Sequence, residues 1–319
     1  MTTHALGIDI GGTQLRAAVV DQHGSIVARD RRPTPADDQA SLVATVAEVV
    51  AAVSERRGET LPVGIGIAGL VTAAGEVRYG PNIGVRDLPL AADLTEQTGT
   101  TVVVANDASL AALGEQRAGA GTGVDDVILV TLGTGVGGGL VVGGRLIVGA
   151  SGFAGELGHV VVSEHGRPCP CGNRGCVEAY ASGTAIGALA RDRLVDPSTA
   201  SSLRELEDVA GPQVTAAARD GDRIAIEVLE EAGSWLGVAL ASMVNVLDPA
   251  LILLGGGAAA AAAPWLLEPT RRTMAAHLVG SGWRQPPPVE LAVLGDDAGV
   301  VGAGLFALEG GTWMSKERS

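Results

Sequence analysis

Residues 5–29, ALGIDIGGTQLRAAVVDQHGSIVAR, decide the predicted fold, because the same order of elements returns in residues 126–148, DVILVTLGTGVGGGLVVGGRLIV. In each stretch an apolar strand ends in a glycine turn, and a second strand, a hairpin turn and a third strand follow. The two stretches lie about 125 residues apart, which is the mark of an internal repeat. Two copies of one β-β-β-α-β-α unit, facing a shared cleft, would produce this pattern.

The rest of the chain fits the same alternation of strands and helices. Strands are predicted over 63–70, 101–104 and 250–254, helices over 91–98 and 108–114, and a loop around Gly80-Pro81-Asn82. Residues 183–247 have helical periodicity that is interrupted at Gly211-Pro212. Between the third strand and residue 63, the spacing of one apolar face predicts an amphipathic helix that carries Leu42, Val46, Val49, Val50 and Val53.

The composition is typical of a globular α/β protein. The 319 residues are 46% hydrophobic and 18% charged and include 47 glycines, and the length is sufficient for two domains. The formal net charge is −14, from 22 basic and 36 acidic side chains. This balance argues against nucleic acid or an anionic membrane as a partner. It does not exclude phosphate ligands, because backbone N–H groups in glycine loops bind phosphate without lysine.

The N-terminal residues lack the charged and apolar regions of a secretory signal, and glycine and proline interrupt every apolar stretch well short of a membrane span. The three cysteines lie within eight residues of one another. An odd number of thiols so closely spaced makes a poor disulfide framework and a good metal cluster. We therefore expect a cytoplasmic protein.

The first glycine turn, Asp9-Ile10-Gly11-Gly12-Thr13, places an acid at the end of a strand, followed by two residues without Cβ and a hydroxyl. Glycines let the backbone approach an anion closely, and a threonine hydroxyl donates to phosphate oxygens. Asp9 is suited to hold Mg²⁺ through water, since Mg²⁺ prefers carboxylates and retains much of its hydration shell. Taken alone, the turn fits an ordinary hairpin equally well.

The second glycine turn, Gly133-Thr134-Gly135-Val136-Gly137-Gly138, matches the G-x-G-x-x-G pattern of dinucleotide-binding folds. That fingerprint requires a helix directly after the glycines. Here strand and turn residues follow, so the match is a coincidence of glycine density. Together with the first turn, it predicts a second phosphate hairpin.

The metal cluster consists of His159, Cys169, Cys171 and Cys176, one imidazole and three thiolates of the kind that tetrahedral zinc favours. Three buried thiols near a pocket histidine are the alternative. Four protein ligands leave no open position for water, so the zinc is expected to be structural.

The catalytic candidate is Asp107, at the junction of a strand and a helix. Phosphoryl transfer to a sugar needs a carboxylate that accepts the hydroxyl proton, whereas a helix N-cap is the local alternative for Asp107. Polyol recognition needs acceptors that pair with hydroxyl groups, and Asn82, Asn106, Glu156 and Glu178 are such groups.

These motifs together resemble the ROK family (repressor, open reading frame, kinase) of sugar kinases and regulators. The resemblance runs from Gly7 to about Leu308 and rests on GIDIGGT, GPNIG, VVVANDASLAALGE, LGTGVGGG, GASGFAGELGH, CPCGNRGCVEAYASG, VNVLDPALILLGGG and AGVVGAGLFAL. It implies an α/β fold of the actin/hexokinase-like (ribonuclease H-like) type, two βββαβαβα domains with an interdomain cleft. On this basis the predicted domains are residues 1–115 plus 298–319, and residues 116–297 with the zinc loop.

The resemblance also implies roles for individual residues. Asp107 would be the catalytic base, and His159 would serve both zinc and sugar through its two ring nitrogens. The sugar hydroxyls would be bound by Asn82, Asn106, Glu156, His159 and Glu178, with Gly69 lining the same pocket. The ATP phosphate loops would be Asp9, Gly11, Gly12 and Thr13 with Thr134 and Gly135, and the turn near the adenosine would be Gly255, Gly256 and Gly257.

The stretches NDA…GE and VNVLDPALILLGGG look most like actinobacterial glucokinases, which implies Mg·ATP and D-glucose as substrates. Many relatives have a tryptophan where this chain has Gly84-Val85-Arg86-Asp87, so mannose, fructose, N-acetylmannosamine and N-acetylglucosamine stay open as alternatives. Polyphosphate is an alternative donor. The resemblance further suggests a homodimer or homotetramer.

A non-catalytic, sugar-sensing regulator is the alternative from a different functional class. Repressors of the family carry an N-terminal DNA-binding domain, whereas the phosphate loop here begins at Asp9. The acidic charge also argues against DNA contact.

Overall fold

The computed structural model describes residues 3–35 and 38–311, in which strands and helices alternate. In chain order the strands are β1 (His4–Ile10), β2 (Gln14–Asp21), β3 (Ile26–Pro33), β4 (Val63–Ile67), β5 (Leu70–Val71), β6 (Val77–Gly80), β7 (Val85–Leu88), β8 (Val102–Asn106), β9 (Val127–Leu132), β10 (Val136–Val142), β11 (Arg145–Leu146), β12 (Leu251–Gly255) and β13 (Val289–Leu291). The helices are α1 (Gln39–Arg57), α2 (Leu90–Thr98), α3 (Asp107–Ala118), α4 (Glu178–Ala181), α5 (Gly183–Arg193), α6 (Gly211–Arg219), α7 (Arg223–Leu247), α8 (Gly257–Ala276) and α9 (Ala298–Leu308).

The chain divides into two compact units. The first is drawn from Met1–Leu129, Gly139–Gly155 and Val293–Ser319, and the second from Val130–Gly138 and Glu156–Ala292. Residues 116–129, 139–155 and 293–297 thus lie with the N-terminal unit, whereas the predicted bounds place them in the second domain. Residues 312–319 of the predicted first domain lie outside the described residues. The domain bounds themselves stay a prediction.

The sheet of the first unit has the strand order β3-β2-β1-β4-β8. β1 and β3 both pair antiparallel with β2, as the predicted hairpins require. β1, β4 and β8 run parallel, in a register that aligns Ile10 with Ile67 and Ile67 with Asn106. The carboxyl ends of these three strands therefore lie side by side, which places Asp9 and Asn106 at one edge of the sheet, where ligands bind in open α/β sheets.

Helix α1 covers this core with the apolar face that its periodicity predicts. Asp38 caps the helix by accepting the Ser41 N–H at 3.1 Å, and Gly58 ends it in a left-handed conformation with φ of 67°. All five predicted residues of the face are buried: Leu42, Val46, Val49, Val50 and Val53.

Helix α9 lies so close to its neighbours that several contacts require glycine. A Cβ on Gly302 would lie 1.7 Å from the Leu110 carbonyl oxygen of α3, and a Cβ on Gly7 of β1 would lie 1.9 Å from the Val300 carbonyl oxygen. No side chain fits at such distances. The glycines of this helix therefore bring the backbones of β1 and α3, which lead to Asp9 and Asp107, into direct contact with α9.

The second five-stranded sheet has the order β11-β10-β9-β12-β13. This order corresponds to that of the first sheet, because in each sheet the first three strands lie side by side and two later strands add to one edge. β12 pairs parallel with β13, as β4 does with β8. The predicted internal repeat is therefore confirmed.

The small sheet β5-β6-β7 and strand β13 were not predicted from the sequence. The expected loop around Gly80-Pro81-Asn82 is a short 3₁₀ turn over Pro81–Ile83 that joins β6 to β7. These strands have two to four residues each, too few for a period-2 pattern to be recognised. Across the described ranges, no helix combines the length and the apolar character that crossing a membrane requires.

Candidate active site

The first glycine turn is held on two sides by hydrogen bonds within the first unit. The Gly11 N–H donates to the Gln14 carbonyl at 3.0 Å, and the Thr34 hydroxyl donates to the Gly11 carbonyl at 2.7 Å. A Cβ on Gly12 would lie 3.1 Å from the Asn82 carbonyl oxygen, closer than most side chains tolerate. The turn is therefore a tight, fixed loop, with the segment that carries Asn82 packed against it.

Asp9 lies directly before this turn in an environment that disfavours its charge. Burial, followed by the nearby charge of Asp107, raises the pKa of Asp9 to about 7, while Arg16 acts in the opposite direction. Arg16 Nη1 lies 4.0 Å from Asp9 Oδ2, and Arg16 Nη2 lies 3.1 Å from Asp296 Oδ2. A divalent cation bound beside Asp9 would offset the mutual repulsion of these carboxylates, so the donor chemistry suits hydrated Mg²⁺.

Asp107 is the first residue of α3 and is half-buried. The cap of this helix is Asn106, whose side-chain oxygen accepts the Ser109 N–H at 3.0 Å. Burial raises the pKa of Asp107, while hydrogen bonds from the backbone N–H groups of Ala108 and of Asp107 itself lower it in part. A carboxylate with a raised pKa, free of the capping role, has the properties of a general base.

Asn106, at the end of β8, also forms a hydrogen bond with Gly69. Its side-chain amide donates to the Gly69 carbonyl at 3.2 Å. Gly69 has φ of 133°, and a Cβ there would lie 2.2 Å from the Tyr79 carbonyl oxygen, so only glycine fits. Asn106, Gly69 and the β6 strand that leads to Asn82 are therefore packed together.

The four predicted metal ligands come together in the second unit. His159 Nδ1 lies 3.7 Å from Cys169 Sγ, and Cys171 Sγ lies 3.8 Å from Cys176 Sγ. All four ligand atoms lie within 4.8 Å of one another. Tetrahedral zinc with Zn–S bonds of about 2.3 Å separates its sulfur ligands by about 3.8 Å, so this donor set fits zinc.

His159 presents its two ring nitrogens to different groups. Nδ1 faces the cysteines, and Nε2 lies 3.8 Å from Glu156 Oε2. One nitrogen can therefore ligate a metal while the other is oriented by a carboxylate.

Glu178 lies between the cluster and the second glycine turn. Its Oε2 accepts the Val136 N–H at 2.9 Å, and its Oε1 lies 3.6 Å from Cys169 Sγ. The turn itself is closed by a hydrogen bond from the Gly133 N–H to the Gly135 carbonyl at 3.0 Å. Strand β10 begins at Val136, so the residues after the glycines are not helical and the dinucleotide interpretation is excluded.

The three glycines of the predicted adenosine turn join β12 to α8. Gly256 has φ of 86°, and a Cβ there would lie 2.3 Å from the Leu132 carbonyl oxygen, directly before the second glycine turn. Gly257 is the first residue of the 20-residue helix α8. The N–H groups at the start of such a helix are suited to anionic ligands.

The predicted residues thus fall into two groups, one in each unit. Asp9, Gly11, Gly12, Thr13, Gly69, Asn82, Asn106 and Asp107 lie in the first, whereas Thr134, Gly135, Glu156, His159, Cys169, Cys171, Cys176, Glu178, Gly255, Gly256 and Gly257 lie in the second.

The residues that support these two groups were not predicted from the sequence. Arg16 contacts Asp9, Thr34 supports the first turn, and Thr184 donates to the Thr134 carbonyl at 2.8 Å. The Ser-Gly-Thr that follows Glu178 by four residues was an available signal for the last of these, because small hydroxyl residues beside glycine favour close backbone contacts.

Comparison with known proteins supports one family. A glucokinase of Streptomyces coelicolor is 39% identical over 312 residues, which is 95% of this chain and 97% of that protein. An N-acetylmannosamine kinase of Yersinia pestis is 34% identical over 304 residues, which is 95% of this chain and 97% of that protein.

Among solved structures, a ROK family glucokinase from Streptomyces griseus in complex with glucose and AMPPNP superposes with a TM-score of 0.81. It is 39% identical and covers 96% of this chain and 99% of its own. The predicted actin/hexokinase-like fold is confirmed by these neighbours. Because residues 5–309 match the ROK family, this chain belongs to that family.

Proposed function

We propose that the chain transfers the γ-phosphoryl group of ATP to a hexose, and that D-glucose is converted to glucose 6-phosphate. The observation that carries this proposal is Asp107, a carboxylate of raised pKa at the start of α3. It belongs to a chain that aligns over nearly its full length with a glucokinase solved with glucose and AMPPNP.

Asp107 is the general base. The sugar hydroxyl oxygen bonds to the γ-phosphorus while the bond from that phosphorus to the β–γ bridging oxygen breaks, and ADP leaves. The hydroxyl proton passes to the Asp107 carboxylate. Since burial raises the pKa of this group, it accepts a proton more readily than an exposed aspartate.

The two glycine turns bind the phosphates through their backbone N–H groups and the hydroxyls of Thr13 and Thr134. Asp9 is the residue that would hold Mg²⁺ through water, and the ion would neutralise charge on the phosphate oxygens. Gly255, Gly256 and Gly257 lie near the adenosine. These roles are supported by the tight backbone of each turn.

The sugar hydroxyls are bound by Asn82, Asn106, Glu156, His159 and Glu178, with Gly69 lining the pocket. His159, Cys169, Cys171 and Cys176 hold a structural zinc ion, in support of which all four donor atoms lie within 4.8 Å of one another. With four protein ligands, the ion has no position left for substrate.

N-acetylmannosamine is the second candidate substrate, because a kinase for that sugar is 34% identical along the chain. We propose that the segment Gly84-Val85-Arg86-Asp87 contributes to the choice of sugar. We further propose a cytoplasmic homodimer or homotetramer that acts in glycolysis.

The test is ADP release by the purified protein with Mg·ATP and a panel of glucose, mannose, fructose, N-acetylmannosamine and N-acetylglucosamine, with Asp107→Asn as control. Activity on glucose well above the other sugars, lost in the variant, is the expected result. Activity on another sugar would support the proposed phosphoryl transfer but would show that glucose is not the preferred substrate. Glucose binding without turnover would favour the sensor. In a parallel assay of glucose 6-phosphate, product formed from polyphosphate but not from ATP would show that polyphosphate is the donor.

A further inference from the structure

The segment that follows the metal ligands holds the second glycine turn by three hydrogen bonds. We name residues 178–184 the latch segment. Glu178 Oε2 accepts the Val136 N–H at 2.9 Å, the Gly183 N–H donates to the Gly133 carbonyl at 2.8 Å, and the Thr184 hydroxyl donates to the Thr134 carbonyl at 2.8 Å. Three of the four residues from Gly133 to Val136 are therefore bonded to one seven-residue segment.

The latch segment is connected directly to the metal cluster. It begins two residues after Cys176, and the intervening Val177 donates its N–H to the Val160 carbonyl, next to His159, at 2.9 Å. Glu178 Oε1 lies 3.6 Å from Cys169 Sγ. One carboxylate thus contacts a metal ligand with one oxygen and the glycine turn with the other.

The latch segment has little structure of its own to fix its position. Helix α4 has four residues, and a helix of one turn is not stable in isolation. Helix α4 ends directly before Ser182, which caps α5 by accepting the Ala185 N–H at 3.0 Å. Before α4, the chain comes directly from Cys176 of the metal cluster. The position of Glu178 therefore depends on its neighbours, which are the cluster before it and Trp235 of α7, whose ring centroid lies 4.4 Å from that of Tyr180.

The Glu178 carboxylate is also in close contact with the glycine turn. A Cβ on Gly135 would lie 2.5 Å from Glu178 Oε2, so the carboxylate is packed against the backbone of the turn. A displacement of the latch segment would therefore move the turn or weaken the Val136 hydrogen bond, because hydrogen bonds weaken as their geometry departs from the ideal.

We propose that the metal cluster positions the nucleotide phosphate turn through the latch segment, with Glu178, Gly183 and Thr184 as positioning residues. Metal loading then sets the affinity for Mg·nucleotide, in addition to stabilising its own loop. This inference rests on the proposed function, in which the turn at Gly133 to Gly138 contacts the phosphates of ATP.

The test is isothermal titration of Mg·ADP, without sugar, into the full zinc-loaded chain and into chain freed of metal by chelation. Thr184→Val removes one hydrogen bond at nearly constant volume and should raise Kd about 3- to 10-fold, whereas Thr184→Ser keeps the hydroxyl and should stay within about twofold. Metal-free wild type should show a rise of about tenfold or more. Thr184→Val should add little to that rise, because the two changes act on one connected network.

A Thr184→Val variant that binds Mg·ADP with the wild-type Kd would overturn the inference. This measurement needs no metal removal, so it can be made even if the metal-free chain unfolds. A metal-free chain that is folded by circular dichroism and binds Mg·ADP as tightly as the loaded one would also overturn it. Failure of the zinc-loaded wild type to bind Mg·ADP at all would instead overturn the proposed function, and the inference with it. Glucose titration in the same preparations shows whether an effect is confined to nucleotide.

Discussion

The two glycine turns occupy the same place in their sheets, but different parts of the chain support them. The first turn is held by Thr34, which follows β3 closely, and is packed against Asn82. The second is held by the latch segment, which lies beyond the metal ligands. The repeat therefore reproduces a backbone path, whereas the contacts that fix each turn are particular to its own half.

The two halves also differ in charge. Two residues before the glycines, the first copy has Asp9 and the second has Thr131. The first unit thus carries the two aspartates of the site, with Asp107 close enough to raise the pKa of Asp9, and the second carries Glu156, Glu178 and the metal cluster. Acid–base chemistry and metal-dependent structure are separated, and substitutions in each half should have different signatures.

The largest effect is expected at the base. Asp107→Asn should lower kcat by about 10²- to 10⁴-fold, the usual contribution of a positioned base, with glucose affinity largely kept. Asn106 caps α3, so the helix should still begin correctly in the variant. Steady-state kinetics and glucose titration measure the two quantities. Turnover at the wild-type rate would show that Asp107 is not the base.

Substitutions at the metal cluster should lower the stability of the protein. Elemental analysis of the wild type should find about one zinc per chain, and Cys171→Ser should lose it. Loss of about 3 kcal/mol of stability would lower the thermal midpoint by roughly 4–5 °C, because the unfolding entropy of 319 residues is about 0.67 kcal/mol/K. Sugar affinity should weaken with the metal.

Asp107→Asn is the matched control for the metal, since it lies in the other unit and should retain zinc. A zinc-free preparation with full activity and unchanged stability would contradict the structural role of the cluster.

Asp9 predicts a pH dependence of stability. Its pKa is about 7 in the folded chain against 3.8 for the ordinary group, so the folded state retains a proton that the unfolded state releases. The free energy of unfolding should therefore decrease as pH rises from about 4 to 7. Without Mg²⁺, Asp9→Asn should stabilise the chain by about 1 to 4 kcal/mol at pH 8 and by little at pH 4.

Urea unfolding at several pH values measures this difference. Thr131→Val, at the equivalent position of the second copy, is the control and should show no such pH dependence. Equal effects of Asp9→Asn at both pH values would show that burial does not raise this pKa.

The smallest effect is expected for a substitution at Thr34, which tests whether the two glycine turns are supported independently. Thr34→Val removes the hydroxyl that donates to the Gly11 carbonyl and should raise the KM for Mg·ATP about 2- to 10-fold. In Mg·ADP titrations, the same fold-change should appear with and without zinc, because Thr34 belongs to the unit that lacks the cluster. A Thr34→Val effect that disappears on metal removal would mean that the two turns are not independently supported.

Local patterns predicted a large part of the fold and of the site. The two hairpin arrangements, the buried face of α1 and the four-residue metal set are all found as expected, because each depends on spacing within a short stretch. The short strands β5 to β7 were missed, and so was the full length of α8, which continues through Pro264 and Pro269. These elements are stabilised by packing that no local propensity records.

The sequence by itself determined the repeat, the two glycine turns and the set of four candidate metal ligands, since strand periodicity, residues without Cβ and closely spaced thiols act over a few residues. Only the tertiary structure decided which side chains meet across long separations. Arg16 pairs with Asp296 over 280 residues, and Glu178 reaches Val136 over 42. Such contacts follow from strand register and from the close approach of α9, which are set by packing of the whole unit.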